Sequence, residues 1–171
     1  MFKRSIWLIA SMLIWLPLLG AACHVSSAHV EALQLKLRTL NGDTFFLSDQ
    51  RGKVVVLAFG SVRTPLAGQT IPALARLASH YAGHEVAVYW VSIDSAKAGV
   101  KGSLTDAELQ AVTARYAPKL TILRDPEKIA FNSLQFDAVP TVIVVSRQGE
   151  LVREYVGFDA ESKRGYSELL T

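Results

Sequence analysis

Apolar and polar positions predict three successive strands in the first part of the domain. Residues 33–40 alternate between apolar and polar side chains, which is typical of a half-buried strand. The Asn-Gly pair that follows predicts a tight turn into a second short strand over residues 44–49. Residues 54–60 are apolar or glycine throughout, and such continuous runs are typical of central strands covered on both faces.

A helix is predicted next, over residues 64–83. Thr64 is the expected N-cap and Pro65 the first helical residue, because both residue types favour these positions. Apolar side chains recur at helical spacing in this segment, namely Ile71, Leu74, Leu77, Ala78 and Tyr81. We expect Pro72 to kink or restart the helix and Gly83 to end it.

Strands and helices continue to alternate through the rest of the chain. Further strands are predicted over residues 85–94, 119–125, 140–146 and 151–158, the last of them half-buried. Further helices are predicted over residues 103–117, where Thr105 and Glu108 form a capping box, 126–136, which Pro126 starts, and 159–170. This order predicts an α/β domain over residues 33–171, with a central mixed sheet flanked by helices, an N-terminal hairpin and a C-terminal antiparallel hairpin.

The N-terminus has the pattern of an export signal. Lys3 and Arg4 precede residues 5–23, which carry no charge. Three interpretations stay open: lipidation at Cys23 after cleavage, cleavage after residues 26–28, or retention as a membrane anchor. Each predicts that the domain lies in the cell envelope, on the periplasmic or extracytoplasmic face.

We therefore divide the chain into a signal peptide or anchor over residues 1–23, a tether over residues 24–32 and the domain. The formal charge of +3 owes two positive charges to the N-terminus, and the remaining chain has 16 basic and 15 acidic residues. Such a balance gives no basis for a nucleic-acid partner.

Cysteine content restricts the chemistry further. Cys23 is the single cysteine of the 171 residues, so the chain cannot form an intramolecular disulfide. It also precedes the domain in sequence. The domain alone therefore cannot run a dithiol cycle.

Four segments occur in an order that resembles a known family. They read LNGDTFFLSDQRGKVVVLAF, VYWVSID, LRDPEKIA and VPTVIVVSRQGELVREYVG. Together they resemble the thioredoxin-like superfamily and, within it, the TlpA/ResA/DsbE (redoxin) group of membrane-tethered thiol-disulfide oxidoreductases, over about residues 35–158. The resemblance implies a thioredoxin fold.

The centre of the family motif, F-W-A-x-W-C-x-x-C-x-x-E-x-P, aligns with residues 59–72 without gaps. Both cysteine positions are lost, to Thr64 and Ala67, and the tryptophan before the first cysteine is Arg63. Peroxiredoxins and iodothyronine deiodinases are also similar here, and their reactive residues fall on Thr64 as well. A threonine hydroxyl forms no mixed disulfide, so the resemblance implies the fold of the family without its reaction.

Residues Val139, Pro140 and Thr141 match the cis-proline loop of the same family. The resemblance implies that this loop lies against the active-site helix and pairs with extended substrates. We therefore predict a peptide-binding groove between the loop and Arg63, Thr64 and Pro65.

No cofactor or metal site is predicted. His80 and His84 stand four residues apart, but Gly83 breaks the helix between them and no third ligand joins them. His24 and His29 lie in the tether. Asp94, Asp106 and Asp125 fall at predicted strand ends or caps, where carboxylates are common.

The leading hypothesis is an envelope-located thioredoxin-like module that binds a protein or an extended peptide without catalysis. By family resemblance, its partners act in cytochrome maturation or in the assembly of other redox proteins. The alternative is a thiol-disulfide oxidoreductase that uses thiols supplied by a partner, and a decayed paralogue is a third possibility.

Overall fold

A continuous apolar strand organises the domain, as its sequence pattern predicts. The computed structural model describes residues 32–157. The predicted N-terminal signal or anchor with Cys23, nearly all of the predicted tether, and the predicted helix over residues 159–170 lie outside the described residues. Within them the elements are β1 Lys36–Thr39, β2 Thr44–Phe46, a 3-10 helix Leu47–Gln50, β3 Val54–Gly60, α1 Ala67–His80, β4 Val86–Ser92, α2 Asp106–Tyr116, β5 Thr121–Arg124, α3 Ile129–Ser133, β6 Thr141–Val145 and β7 Leu151–Val156.

The described strands form one mixed sheet in the order β2-β1-β5-β4-β3-β6-β7. β3, β4 and β5 are parallel neighbours, and all other pairs are antiparallel. This topology confirms the predicted fold class, including both hairpins. None of the helices within residues 32–157 has the length and apolar character that crossing a membrane requires.

Two apolar cores cover the two faces of the sheet, because successive residues of a strand point to opposite sides. On one face Ala58 and Trp90 pack against Ile71 and Leu74 of α1. On the other face Phe59 and Val91, at the adjacent strand positions, share an apolar core with Phe131 of α3. The central strand is therefore buried on both sides, as predicted.

The second predicted strand is shorter than expected. It ends at Phe46, and residues 47–50 turn into a 3-10 helix. Leu47 is buried in the core, and its N–H donates to the carbonyl of Leu35 at 3.0 Å. Burial of this leucine requires the chain to turn inward, which ends the strand.

The start of α3 also differs from the prediction. Pro126 does not begin the helix, which starts at Ile129 after Lys128 adopts a left-handed conformation with φ of 57°. The carboxylate of Asp125 accepts a hydrogen bond from the N–H of Phe131 at 2.8 Å. A buried side chain thus takes the role of the cap, and the proline lies in the turn before it.

The remaining differences concern α1 and β7. α1 runs without a break through Pro72, so the expected restart is absent. β7 was expected to be half-buried, yet only Tyr155 is partly covered and its other side chains are exposed, because β7 is an edge strand of the described sheet. The capping box of Thr105 and Glu108 is present as predicted.

Candidate functional site

The candidate site lies at one end of the sheet. β3, β4 and β5 all end there, and β6 begins there, since Phe59 pairs with Thr141 and Gly60 pairs with Ser92. Three connections meet at this end: residues 61–66, here called the Thr64 turn; residues 95–105, the Gly102 loop; and residues 137–140, the Pro140 loop. The sheet therefore brings the two halves of the predicted groove to the same end of its strands.

Thr64 is not the N-cap of α1, contrary to the prediction. Its hydroxyl donates to the carbonyl of Ser61 at 2.9 Å, and its N–H donates to the same carbonyl at 3.2 Å. The carbonyl of Thr64 accepts from the N–H of Ala67 at 3.1 Å, so tight turns precede the helix. α1 then begins at Ala67, with Leu66 as its N-cap and no side-chain cap. Within residues 32–157 the hydroxyl of Thr64 therefore bonds to a preceding carbonyl and caps no N–H group of α1.

Ala67 stands at the second degenerate cysteine position, and its side chain is buried. Pro65 and Arg63 are exposed and Thr64 is partly buried, so the turn presents these three residues toward solvent. None of them carries a thiol or a basic nitrogen able to accept a proton at neutral pH. The histidines of the described chain, His80 and His84, lie at the far end of α1, where both contact the ring of Tyr81.

A buried carboxylate holds the Thr64 turn in place. Asp94 follows β4 and is only 5% exposed. It accepts hydrogen bonds from the hydroxyl of Ser61 at 2.5 Å, from the N–H of Val62 at 3.0 Å and from the hydroxyl of Ser92 at 2.9 Å. A charged acceptor with three donors is a strong anchor, so the turn keeps its shape without sulfur chemistry.

The Gly102 loop is fixed beside this turn by a second set of contacts. Its two ends meet where the N–H of Leu104 donates to the carbonyl of Ser95 at 2.8 Å. The buried guanidinium of Arg124 donates to the carbonyls of Asp94 and Leu104, each at 2.9 Å. Arg63 then reaches across from the Thr64 turn, and its Nε donates to the carbonyl of Gly102 at 2.8 Å.

Asp106 links Arg124 to the surface. Its carboxylate pairs with both terminal nitrogens of Arg38 at 2.8 Å and with Arg124 at 2.6 Å. The hydrogen bonds from Arg38, together with those from Arg124, lower the pKa of Asp106 to about 2. The carboxylate therefore stays ionised at neutral pH and balances the buried arginine.

The Pro140 loop contains the cis-proline that the resemblance implied. The peptide bond between Val139 and Pro140 is cis. The hydroxyl of Thr141 donates to the carbonyl of Ala138 at 2.8 Å, and the carbonyl of Pro140 accepts from the N–H of Gly157 at 2.7 Å. Within residues 32–157 the N–H and carbonyl of Val139 have no hydrogen-bond partner. An unpaired main chain at a sheet end is able to bind an extended segment.

Sequence reasoning placed Arg63, Thr64, Pro65, Val139, Pro140 and Thr141 at this site, and the structure brings all six to the same end of the sheet, although Pro140 and Thr141 are both buried. Sequence reasoning missed the hydrogen bonds that hold the loops of the site, above all those of Ser61 with Asp94 and of Arg63 with Gly102. The signal for Asp94 was its position directly after a buried strand. The contact of Arg63 with Gly102 joins residues far apart in sequence and had no signal.

The fold and this site define a thioredoxin-like protein. The chain matches the AhpC/TSA family over residues 28–154 and belongs to that family. No protein of curated function matches it.

Solved structures agree with this assignment of the fold. A putative thiol:disulfide interchange protein DsbE from Chlorobium tepidum is 23% identical with a TM-score of 0.65, covering 78% of this chain and 87% of that one. The exposed lipoprotein thioredoxin of Streptococcus pneumoniae is 25% identical with a TM-score of 0.60, covering 75% and 93%. A secreted Mycobacterium tuberculosis disulfide oxidoreductase is 18% identical with a TM-score of 0.59, covering 72% and 84%.

Proposed function

We propose that this protein is an envelope-located, non-catalytic member of the redoxin group that binds an extended segment of another protein. The observation that carries the proposal combines two features at one sheet end: a Val139 main chain that is unpaired within residues 32–157, and a turn whose cysteine positions are Thr64 and Ala67. The main chain supplies a place for a peptide to pair, and the turn supplies no thiolate.

The order of the site supports binding of a partner. Asp94 and Arg124, both buried, hold the Thr64 turn and the Gly102 loop through hydrogen bonds. A surface that is ordered before the partner arrives loses less entropy when the partner binds. The hydroxyl of Thr64 donates to the carbonyl of Ser61, and within residues 32–157 no side chain bonds to it as a base that could activate it as a nucleophile.

The location is part of the same proposal. The uncharged stretch over residues 5–23 follows two basic residues, as in export signals. Of the similar structures, one is named as an exposed lipoprotein and another as a secreted oxidoreductase. We infer that the domain acts outside the cytoplasm, tethered to a membrane or released, on an envelope protein.

A disulfide-exchange assay tests the absence of catalysis. The full chain carrying Cys23→Ser is assayed for insulin reduction with dithiothreitol, beside a dithiol thioredoxin as positive control. We expect turnover no faster than dithiothreitol alone. Clear turnover by this variant would contradict the proposal and favour the alternative, an oxidoreductase that works with thiols from its partner.

Photo-crosslinking tests binding at the proposed place. A photoreactive residue is introduced at position 64 and, as a matched control, at the exposed Gln148, which lies in the turn between β6 and β7 at the opposite end of the sheet. The purified full chain is mixed with a randomised library of short peptides and irradiated. We expect adducts from position 64 and few from position 148. Equal yields from both positions would refute a peptide site at the Thr64 turn.

A further inference from the structure

Arg63 is an oriented cation at the edge of the proposed groove. Its side-chain Nε donates to the carbonyl of Gly102 at 2.8 Å, and its backbone N–H donates to the hydroxyl of Ser61 at 3.1 Å. Gly102 lies so close that a Cβ there would stand 3.3 Å from this Nε. The backbone of Arg63 is thus held within its own turn, and the first nitrogen of its guanidinium is held by the Gly102 loop.

The other two nitrogens of the guanidinium remain available. Within residues 32–157 nothing accepts a hydrogen bond from the terminal nitrogens of Arg63, and the side chain is exposed. A guanidinium presents its donors as a planar fork that matches the two oxygens of a carboxylate. Fixing one nitrogen while leaving the others open preserves the ability of this fork to bind an acidic group.

Charges around Arg63 are compatible with an acidic ligand. The Gly102 loop contributes the exposed Lys97 and Lys101 and no acidic residue. Glu108 is close enough to Arg63 for an electrostatic interaction, but its carboxylate accepts from the N–H and hydroxyl of Thr105, both at 2.8 Å, and makes no ion pair with Arg63. The carboxylate of Glu108 therefore leaves the fork open.

We propose that Arg63 selects partner segments that carry an aspartate or glutamate where they cross the Thr64 turn. This inference rests on the proposed function, because it names the chemistry of the segment that binds there. The main chain of Val139 pairs with the backbone of the segment, whatever its sequence. Arg63 adds a contact that depends on the side chain.

A positional-scanning peptide library tests the selection. Each mixture fixes one residue type at one position and randomises the others, and binding to the full chain is measured by competition against a fluorescent library peptide. We expect mixtures with aspartate or glutamate at one position to bind about tenfold more tightly than those with asparagine or glutamine, as one charge-assisted hydrogen bond allows. Raising the salt concentration is expected to reduce the preference.

Three variants separate selection from structure. Arg63→Gln is expected to bind glutamate and glutamine mixtures equally. Arg63→Lys is expected to keep a smaller preference, because lysine lacks the planar fork. Arg76→Gln changes an exposed arginine of α1 and is expected to behave as the unmodified chain. The ratio of glutamate to glutamine binding is the readout, since a purely structural role of Arg63 would weaken both alike. An equal affinity for both mixtures in the unmodified chain, or an unchanged preference in Arg63→Gln, overturns the selection while peptide binding stands. Absence of binding by every mixture overturns both proposals.

Discussion

The indole ring of Trp90 occupies the space beside Gly60 that any side chain at position 60 would need. A Cβ built on Gly60 overlaps the six-membered part of the ring. Gly60 ends β3 and Trp90 lies in the neighbouring strand β4, where it is fully buried. The glycine therefore allows a tryptophan of the adjacent strand to fill the core directly beneath the Thr64 turn.

Gly60→Ala is expected to destabilise the domain because the buried indole has no room to move aside. Overpacking of this kind costs about 1–3 kcal/mol in the free energy of unfolding. Urea denaturation followed by tryptophan fluorescence or circular dichroism measures the change. The additional change Trp90→Phe, which provides a smaller ring, is expected to make the alanine at position 60 better tolerated.

Gly68→Ala is the matched control for this prediction. A Cβ at Gly68 would make ordinary contact with the ring of Tyr116, at 3.6 Å, within the first turn of α1. Alanine favours helices over glycine by about 1 kcal/mol, so this variant is expected to be neutral or stabilised. If both alanine variants lost the same stability, the overlap with Trp90 would not be the cause.

Asp94→Asn is expected to loosen the Thr64 turn. The carboxylate accepts from two hydroxyls and from the N–H of Val62, and an amide offers one acceptor fewer. Leaving one of these partly buried donors unpaired costs about 1–3 kcal/mol. Denaturation measures the stability, and crosslinking yield from position 64 measures the order of the turn.

Asp43→Asn serves as the control for the Asp94 variant. Asp43 is exposed in the turn between β1 and β2 and makes no hydrogen bond through its side chain within residues 32–157. We expect no measurable change in stability or crosslinking yield. A similar loss in both variants would indicate a general effect of removing negative charge rather than the loss of an anchor.

The Asp106 ion pairs predict a pH dependence of stability in acid. The pKa of Asp106 falls from 3.8 to about 2 in the folded state, chiefly through the hydrogen bonds from Arg38. The unfolded chain therefore binds the proton at higher pH than the folded one, and stability is lost as the pH falls from about 4 to about 2. Asp106→Asn is expected to flatten this part of the curve of unfolding free energy against pH.

Arg38→Gln refines the same measurement. It removes the largest cause of the lowered pKa and leaves the pair with Arg124. The acid loss of stability is then expected to begin at the same pH, which the unfolded chain sets, but to end at a higher pH and to be smaller. If Asp106→Asn left the curve unchanged between pH 4 and pH 2, other carboxylates would account for the acid sensitivity.

Much of the fold was predictable because it follows from local patterns. The apolar run of β3 and the capping box of Thr105 depend on neighbouring residues, and both appear as predicted. The N-cap at Thr64 failed because tight turns over residues 61–67 delay the start of α1 to Ala67. Asp94, which follows another strand, holds these turns, so the local sequence around Thr64 does not report them.

The site itself was only half predictable. The order of motifs placed the two loops at one sheet end, since parallel strands end on the same side. The contact between Arg63 and Gly102 depends on how an irregular loop folds, and no periodicity reports on that. The packing of Trp90 against Gly60 likewise joins two strands, and it depends on the shape of the core rather than on a local sequence pattern.

Restoring the two sulfurs tests whether the frame alone supports the family's reaction. In a Cys23→Ser background, Thr64→Cys and Ala67→Cys place thiols three residues apart, at positions already joined by the hydrogen bond from the N–H of Ala67 to the carbonyl of Thr64. Such a turn holds its end Cα atoms within about 7 Å, which suits a disulfide. We expect the double variant to form this disulfide and to reduce insulin in the presence of dithiothreitol.

Each single variant is the control, because one thiol cannot complete the dithiol cycle. We expect neither Thr64→Cys nor Ala67→Cys alone to exceed the rate with dithiothreitol. A titration of accessible thiols before and after oxidation shows whether the pair closes. A double variant that folds and oxidises yet stays inactive would mean that access of the substrate disulfide is blocked, either by the exposed Arg63 or by the Gly102 loop. The family motif has tryptophan at position 63, so adding Arg63→Trp to the double variant distinguishes these two causes.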